Sequence, residues 1–254
     1  MKSRLPSGQG SGRTSTPAVR PAAMLFDLDG TLADSFAAIR EALNASLREH
    51  GLPEFDLAWV RTHVGRGAPE LVRDAVGHSG EEALRRSVGE RFGEHYRQIY
   101  LDQTPAMPGA GEVLAFVAER LPGRVAVISN KYEELCRAWL AHWGLAPYVS
   151  VVVGPDTYGV RKPDPRAPLS VLNGFGVVPG DALLVGDMEV DVATARAAGV
   201  PMVAVQPDPV AARALRDAGA EVVLGALTDL PGWLAENGTG WGYHEGSAER
   251  GSDG

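Results

Sequence analysis

"AAMLFDLDGTLADS", residues 22–35, begins as an unbroken apolar run and ends with two carboxylates, Asp27 and Asp29, one residue apart. A run without polar alternation is the pattern of a strand buried on both faces. Desolvating even one charge at the mouth of such a strand is costly. Either a cation sits there, or the two acids do different chemistry.

Five further runs resemble the first: "RVAVIS" (124–129), "VSVVVG" (149–154), "ALLVG" (182–186), "PMVAV" (201–205) and "AEVVLG" (220–225). A helix-like segment separates successive runs, so the expected fold is α/β, a doubly wound, Rossmann-like parallel sheet. Ligands of such sheets lie beyond the carboxyl ends of the strands, where Asp27, Ser129 and Asp187 all stand.

From Ser35 to Pro105 there is no strand-like run. "SFAAIREALNASLREHG", "AWVRTHVG", "APELVRDAVG" and "EEALRRSVGERFGEHYRQIY" carry apolar residues at three- and four-residue spacing, which predicts an inserted helical domain over 35–105. The core domain is expected over 22–34 and 106–235, with Pro105 and Pro108 marking its resumption. Residues 1–21 and 236–254, rich in Ser, Gly and polar residues without apolar periodicity, read as disordered arms.

At 254 residues with net charge −8, the chain is poorly suited to nonspecific binding of nucleic acid or an anionic membrane. Its apolar runs are far shorter than the roughly 20 residues of a membrane helix. The single cysteine, Cys136, cannot form an internal disulfide and reads as a packed helix residue. A cytoplasmic monomer or homodimer is expected. The only lysines are Lys2, Lys131 and Lys162. A lysine kept in so arginine-rich a chain points to a need for a compact ammonium, and genomic codon bias explains the arginine excess equally well.

Taken singly, the polar groups at the strand ends are ambiguous. "DLDG" fails as an EF-hand loop, with Gly30 fourth and Ala38 twelfth. "ISNK" offers Ser129 and Asn130 and would serve equally as a helix N-cap. "VRKPDP" holds Lys162 in a Pro-punctuated loop, and "VGDMEVD" sets Asp187 and Asp191 beyond an apolar run. A thiol phosphatase would need Arg six residues after Cys136, where His142 stands.

Jointly and in this order, "DLDGTLADS", "SNK", "KP" and "VGDMEVD" resemble the four motifs of the haloacid dehalogenase superfamily, and the helical insert resembles its first cap type. "RTHVGRGAPELV" and "AMPGAGEVLAFV" further resemble its phosphoglycolate phosphatase group. The resemblance implies a magnesium-dependent phosphatase of a small phosphomonoester, with phosphoglycolate foremost. Pyrophosphate, a sugar phosphate, a nucleotide, phosphomutase chemistry or a catalytically dead binding protein are the alternatives.

In that reading Asp27 is the nucleophile, and Asp29 protonates the leaving group and then activates water. Asp27, Asp187 and the Asp29 carbonyl hold Mg2+, and Asp191 orients a metal-bound water. Thr31, Ser129, Asn130 and Lys162 contact the phosphoryl group, and Lys162 also restrains Asp27. Lys131 is expected at the rim. Arg66 and His63, in the glycine-bounded "THVGRGA", are expected to meet a substrate carboxylate, since an arginine can bind one bidentately. The pattern departs from the superfamily at Met188, where a Ser or Thr often follows the motif's Asp.

Overall fold

A computed structural model describes residues 21–77 and 81–237. The arms expected at 1–21 and 236–254 lie, apart from their inner ends, outside the described residues. The six apolar runs form β1 (Ala23–Phe26), β2 (Val125–Ile128), β3 (Val151–Val153), β4 (Ala182–Gly186), β5 (Met202–Val205) and β6 (Val222–Leu224). They pair in the order β3-β2-β1-β4-β5-β6, and every pairing is parallel.

Strand β1 is central, and its residues have nowhere polar to point. Met24 and Phe26 pack into the apolar layer on one face with Val113, Leu114 and Trp139, while Ala23 and Leu25 join the other with Val171, Leu172 and Ala195. All four strand residues are fully buried, which at about 1.5–3 kcal/mol for each large side chain fixes the strand without help from its turns. The flanking helices are α5 (Ala110–Arg120), α6 (Glu133–His142), α7 (Arg166–Phe175), α8 (Glu189–Ala198), α9 (Pro209–Asp217) and α10 (Leu230–Asn237). Winding runs outward from β1 to β3 on one side, then from β4 to β6 on the other. The order therefore reverses between β1 and β4, which creates a crevice at their carboxyl ends.

Between β1 and α5 the chain builds α1 (Phe36–Glu49), α2 (Leu57–His63), α3 (Ala68–Val76) and α4 (Glu82–Gln103). Leu43 and Leu47 of α1 share a core with Val88, Phe92 and Tyr96 of α4. The insert leaves and rejoins the core through a narrow neck. Ala33 and Ala106 form an antiparallel bridge, the Asp34 N–H donates to the Pro105 carbonyl (2.9 Å), and the Met107 N–H donates to the Leu32 carbonyl (2.8 Å). No described helix is long and apolar enough to cross a membrane.

Candidate active site

Each polar group singled out at a strand end is carried there by the sheet. Asp27 follows β1, with its N–H donating to the Val185 carbonyl of β4 (2.8 Å), and Ser129 follows β2, with its N–H donating to Val153 of β3 (3.0 Å). Asp187 follows β4, and Asp191 sits in the first turn of α8. Carboxylate oxygens of Asp27, Asp187 and Asp191 all lie within 4.8 Å of one another, and all three residues are buried.

One ammonium answers these three acids. Lys162 Nζ lies 2.6 Å from Asp27 Oδ1 and 2.7 Å from Asp191 Oδ1, with its side chain only 3% exposed. Burial opposes its charge, but Asp191 and Asp27 outweigh that and hold its pKa above the ordinary lysine range. The acids are not fully compensated. Burial pushes the Asp27 carboxyl up to about 7, with Asp191 and Asp29 adding to the rise and Lys162 opposing it. Asp187 is likewise raised, first by burial and then by the charges of Asp27 and Asp191. A buried set of oxygen donors with more negative charge than its own cation neutralises is chemistry suited to a hard divalent cation.

Two glycines make this approach possible. Gly30, at φ +92°, turns the chain so that a side chain there would collide with the Asp187 carboxylate. A Cβ on Gly186 would meet the Asp191 carboxyl carbon at 2.5 Å. Neither glycine stood out by its spacing.

Several sequence expectations change in role. Thr31, expected to contact substrate, donates instead from Oγ1 to Asp187 Oδ1 (2.9 Å) and is fully buried. Its hydroxyl orients a carboxylate that needs orienting, and it supplies from the β1 loop a contact that Met188 cannot. Asn130 spends its whole amide on structure. Its Oδ1 accepts from the Lys162 N–H (2.8 Å), and its Nδ2 donates to the carbonyls of Lys162 (3.1 Å) and Gly65 (2.7 Å). It is therefore a strut between the β2 loop, the lysine loop and the insert. Met188 packs its sulfur against Gly65, while its N–H donates to Asp191 Oδ2 (3.1 Å).

A cavity of about 470 Å³ lies between this cluster and the insert, with Asp27, Asp29, Ser129, Lys131 and Lys162 on the core side. The Ser129 hydroxyl accepts from the Lys131 N–H (3.2 Å), so its own proton can be given to a ligand oxygen. Lys131 is not at a rim. Its ammonium is bonded to Asp29 Oδ1, its side chain is 8% exposed, and it stands 5.1 Å from the centre of the Tyr96 ring. The scarcity of lysine was the signal that pointed to it.

Arg66 and His63 are absent from the walls of this cavity. Arg66 Nη2 holds Asp74 at 2.5 Å, and His63 stacks on Trp59 with Nδ1 2.8 Å from the Trp59 carbonyl. Both side chains satisfy themselves within the insert. Cys136 is buried on α6, where burial raises its thiol pKa, as befits a packing residue.

Comparison with known proteins agrees with this geometry. The model of the haloacid dehalogenase-like hydrolases matches residues 24–205. A phosphoglycolate phosphatase of Rhodospirillum rubrum is 39% identical over 225 residues, spanning 84% of this chain and 91% of the relative. One from Chromobacterium violaceum is 35% identical over 214 residues, spanning 82% and 94%. Among solved structures, a haloacid dehalogenase-like family hydrolase of Streptococcus pneumoniae superposes with a TM-score of 0.74 at 16% identity, covering 85% of this chain and 99% of that one, a likeness of fold. With an acid-tipped central strand, a covering helical insert and a family match over most of its length, the chain belongs to the haloacid dehalogenase-like hydrolases.

Proposed function

We propose that this chain hydrolyses 2-phosphoglycolate to glycolate and phosphate through an aspartyl-phosphate on Asp27, with the helical insert at 35–105 as a cap over a core of residues 22–34 and 106–235. The observation that carries the reading is Asp27 itself, a buried carboxylate fixed by Lys162 at 2.6 Å and opening into a covered cavity. The relatives named phosphoglycolate phosphatase support the choice of ester.

In the first half-reaction an Asp27 oxygen attacks phosphorus, the ester P–O bond breaks, and Asp29 gives its proton to the departing glycolate oxygen. In the second, Asp29 takes a proton from water, the water oxygen bonds to phosphorus, and the acyl-phosphate bond breaks to release phosphate and restore Asp27. Ser129 and Lys162 hold the equatorial oxygens, where preorganised donors in a water-poor site act most strongly. Asp27, Asp187 and the Asp29 carbonyl would hold Mg2+, with Asp191 beside them, and the ion would supply positive charge to the phosphoryl oxygens and the attacking carboxylate. We read the protein as a cytoplasmic enzyme acting on a small molecule, as a monomer or homodimer.

Phosphate release measured over a panel of esters tests this. Phosphoglycolate should be among the best substrates, and turnover should vanish with chelator and return with added magnesium. A panel in which another ester is hydrolysed and phosphoglycolate is not would overturn the assignment.

A further inference from the structure

The cap has many arginines and the core cavity has two lysines, of which catalysis as described uses only Lys162. Lys131 is the buried cation that the proposed chemistry leaves over. Its ammonium is fixed on Asp29, and both side chains are nearly enclosed, at 8% and 13% exposure. Tyr96 of α4 lies over it, and Phe92, Leu71 and Val72 extend an apolar wall from the insert.

That location is informative because Asp29 is the proton donor in the reading above, on which this inference rests. A general acid works within about 2.6–3.2 Å of the atom it protonates, so the leaving oxygen of a bound ester lies against the Asp29 carboxyl. In a 2-phosphoryloxy carboxylate, a single methylene separates the leaving oxygen from the carboxylate carbon. The carboxylate therefore falls beside whatever else touches Asp29, and that neighbour is Lys131 Nζ.

Arg73, Arg85, Arg86, Arg97 and Arg161 also line the cavity, and of these Arg85, 23% exposed, pairs with Glu82 of the insert. Arg73 pairs with Glu70 and Arg97 with Glu134, and their side chains are 45% and 54% exposed. Charges in that setting are screened by water and salt. A compact ammonium in an enclosed corner has the stronger field.

We infer that Lys131 is the specificity-determining residue of this site: its ammonium, held on Asp29 beneath Tyr96, receives the carboxylate of a substrate that bears one on the ester carbon, and so selects 2-phosphoryloxy carboxylates over other phosphate esters. The role differs from a general support of Asp29, because a support would serve every substrate alike.

Comparing phosphoglycolate with its amide, 2-phosphoryloxyacetamide, in wild type and in Lys131→Gln isolates the pair, since each change removes one partner. Wild type should prefer the carboxylate by at least ~10-fold in kcat/KM, mostly through KM, and Lys131→Gln should narrow that preference to within about threefold. Lys131→Arg, which keeps the charge, should restore part of it. Equal losses on both substrates in Lys131→Gln would overturn the inference in favour of a positioning role toward Asp29. So would a preference erased by Arg161→Ala, which removes another cation lining the cavity, but not by Lys131→Gln. If Lys131→Gln fails to fold, Lys131→Arg decides in its place: a preference for the carboxylate over the amide unchanged from wild type, or no preference in wild type itself, overturns the inference. A wild type inactive on both while cleaving other esters would instead overturn the phosphoglycolate assignment beneath it.

Discussion

The core crevice and the cap both carry dense charge, but they carry it differently. In the crevice, Lys162 meets Asp27 and Asp191 with side-chain exposures of 3%, 6% and 0%. On the cap, Arg91 bridges Glu49 and Glu94 with exposures between 38% and 54%, and Arg66 meets Asp74 with 54% of the arginine exposed. Exposed pairs are worth about 0–1 kcal/mol. Breaking a buried pair by removing one partner costs roughly 3–5 kcal/mol, because the other charge is left alone. A fold retains the expensive kind where something beyond stability requires it. The cap's ion pairs dress a helical surface, while those of the crevice, in the function proposed above, hold reacting groups in register.

The sharpest test of the contrast is Asp27→Asn, which should abolish turnover because an amide cannot form the acyl-phosphate. Near-native activity would show that the crevice charges are not reacting groups. The same variant exposes the cost of burial. The Asp27 carboxyl is raised to about 7 from an ordinary 3.8, so the fold favours its neutral form. The stability this confers is complete below the unfolded value and is lost as pH rises through about 7. In chelator, the melting temperature of wild type minus that of Asp27→Asn should therefore fall between about pH 4 and 7. Added magnesium, which favours the ionised form, should raise wild type more at pH 8 than at pH 5. A flat difference curve would mean that Asp27 is ionised throughout.

Lys162→Ala should lower kcat/KM by at least ~100-fold, about 3 kcal/mol of lost transition-state contact. A loss under tenfold would place this lysine with the cap's decorative pairs. At the small end stands Arg66→Ala. Removing an exposed partner of Asp74 should change kcat/KM for phosphoglycolate by less than about threefold and stability by under about 1 kcal/mol. A larger rise in KM would return Arg66 to the substrate, through a cap position different from this one.

The contrast also explains what could be read from the chain in advance. A strand buried on both faces is written as an apolar run, and the first polar residue after it is delivered to the sheet's edge. Asp27, Ser129 and Asp187 were therefore legible together with the sheet that carries them. The cap was legible as four helices, since three- and four-residue spacing states which face is buried. It does not state which acid an exposed arginine will choose, and Arg66 chose Asp74 eight residues on. The structural partners of Asn130 were not legible for a related reason. Its amide serves carbonyls 32 and 65 residues away in the chain, and no local pattern records such partners. Lys131 fell between these cases, flagged by rarity but placed only by the fold.

The neck between Ala33 and Ala106 has a consequence for how such an enzyme changes over time. The chain departs and returns at points already hydrogen-bonded to each other, so apart from contacts such as Asn130 with Gly65 the core meets the insert at the same two attachment points whatever lies between them. Loop-closure entropy grows only slowly with length, about 0.6 kcal/mol for each doubling. An insert can therefore be lengthened, pared down or exchanged whole with little penalty to the sheet, like a cassette clipped into a fixed socket. Lineages that share this crevice are free to trade one lid for another, altering what enters without rebuilding the machinery that cleaves it.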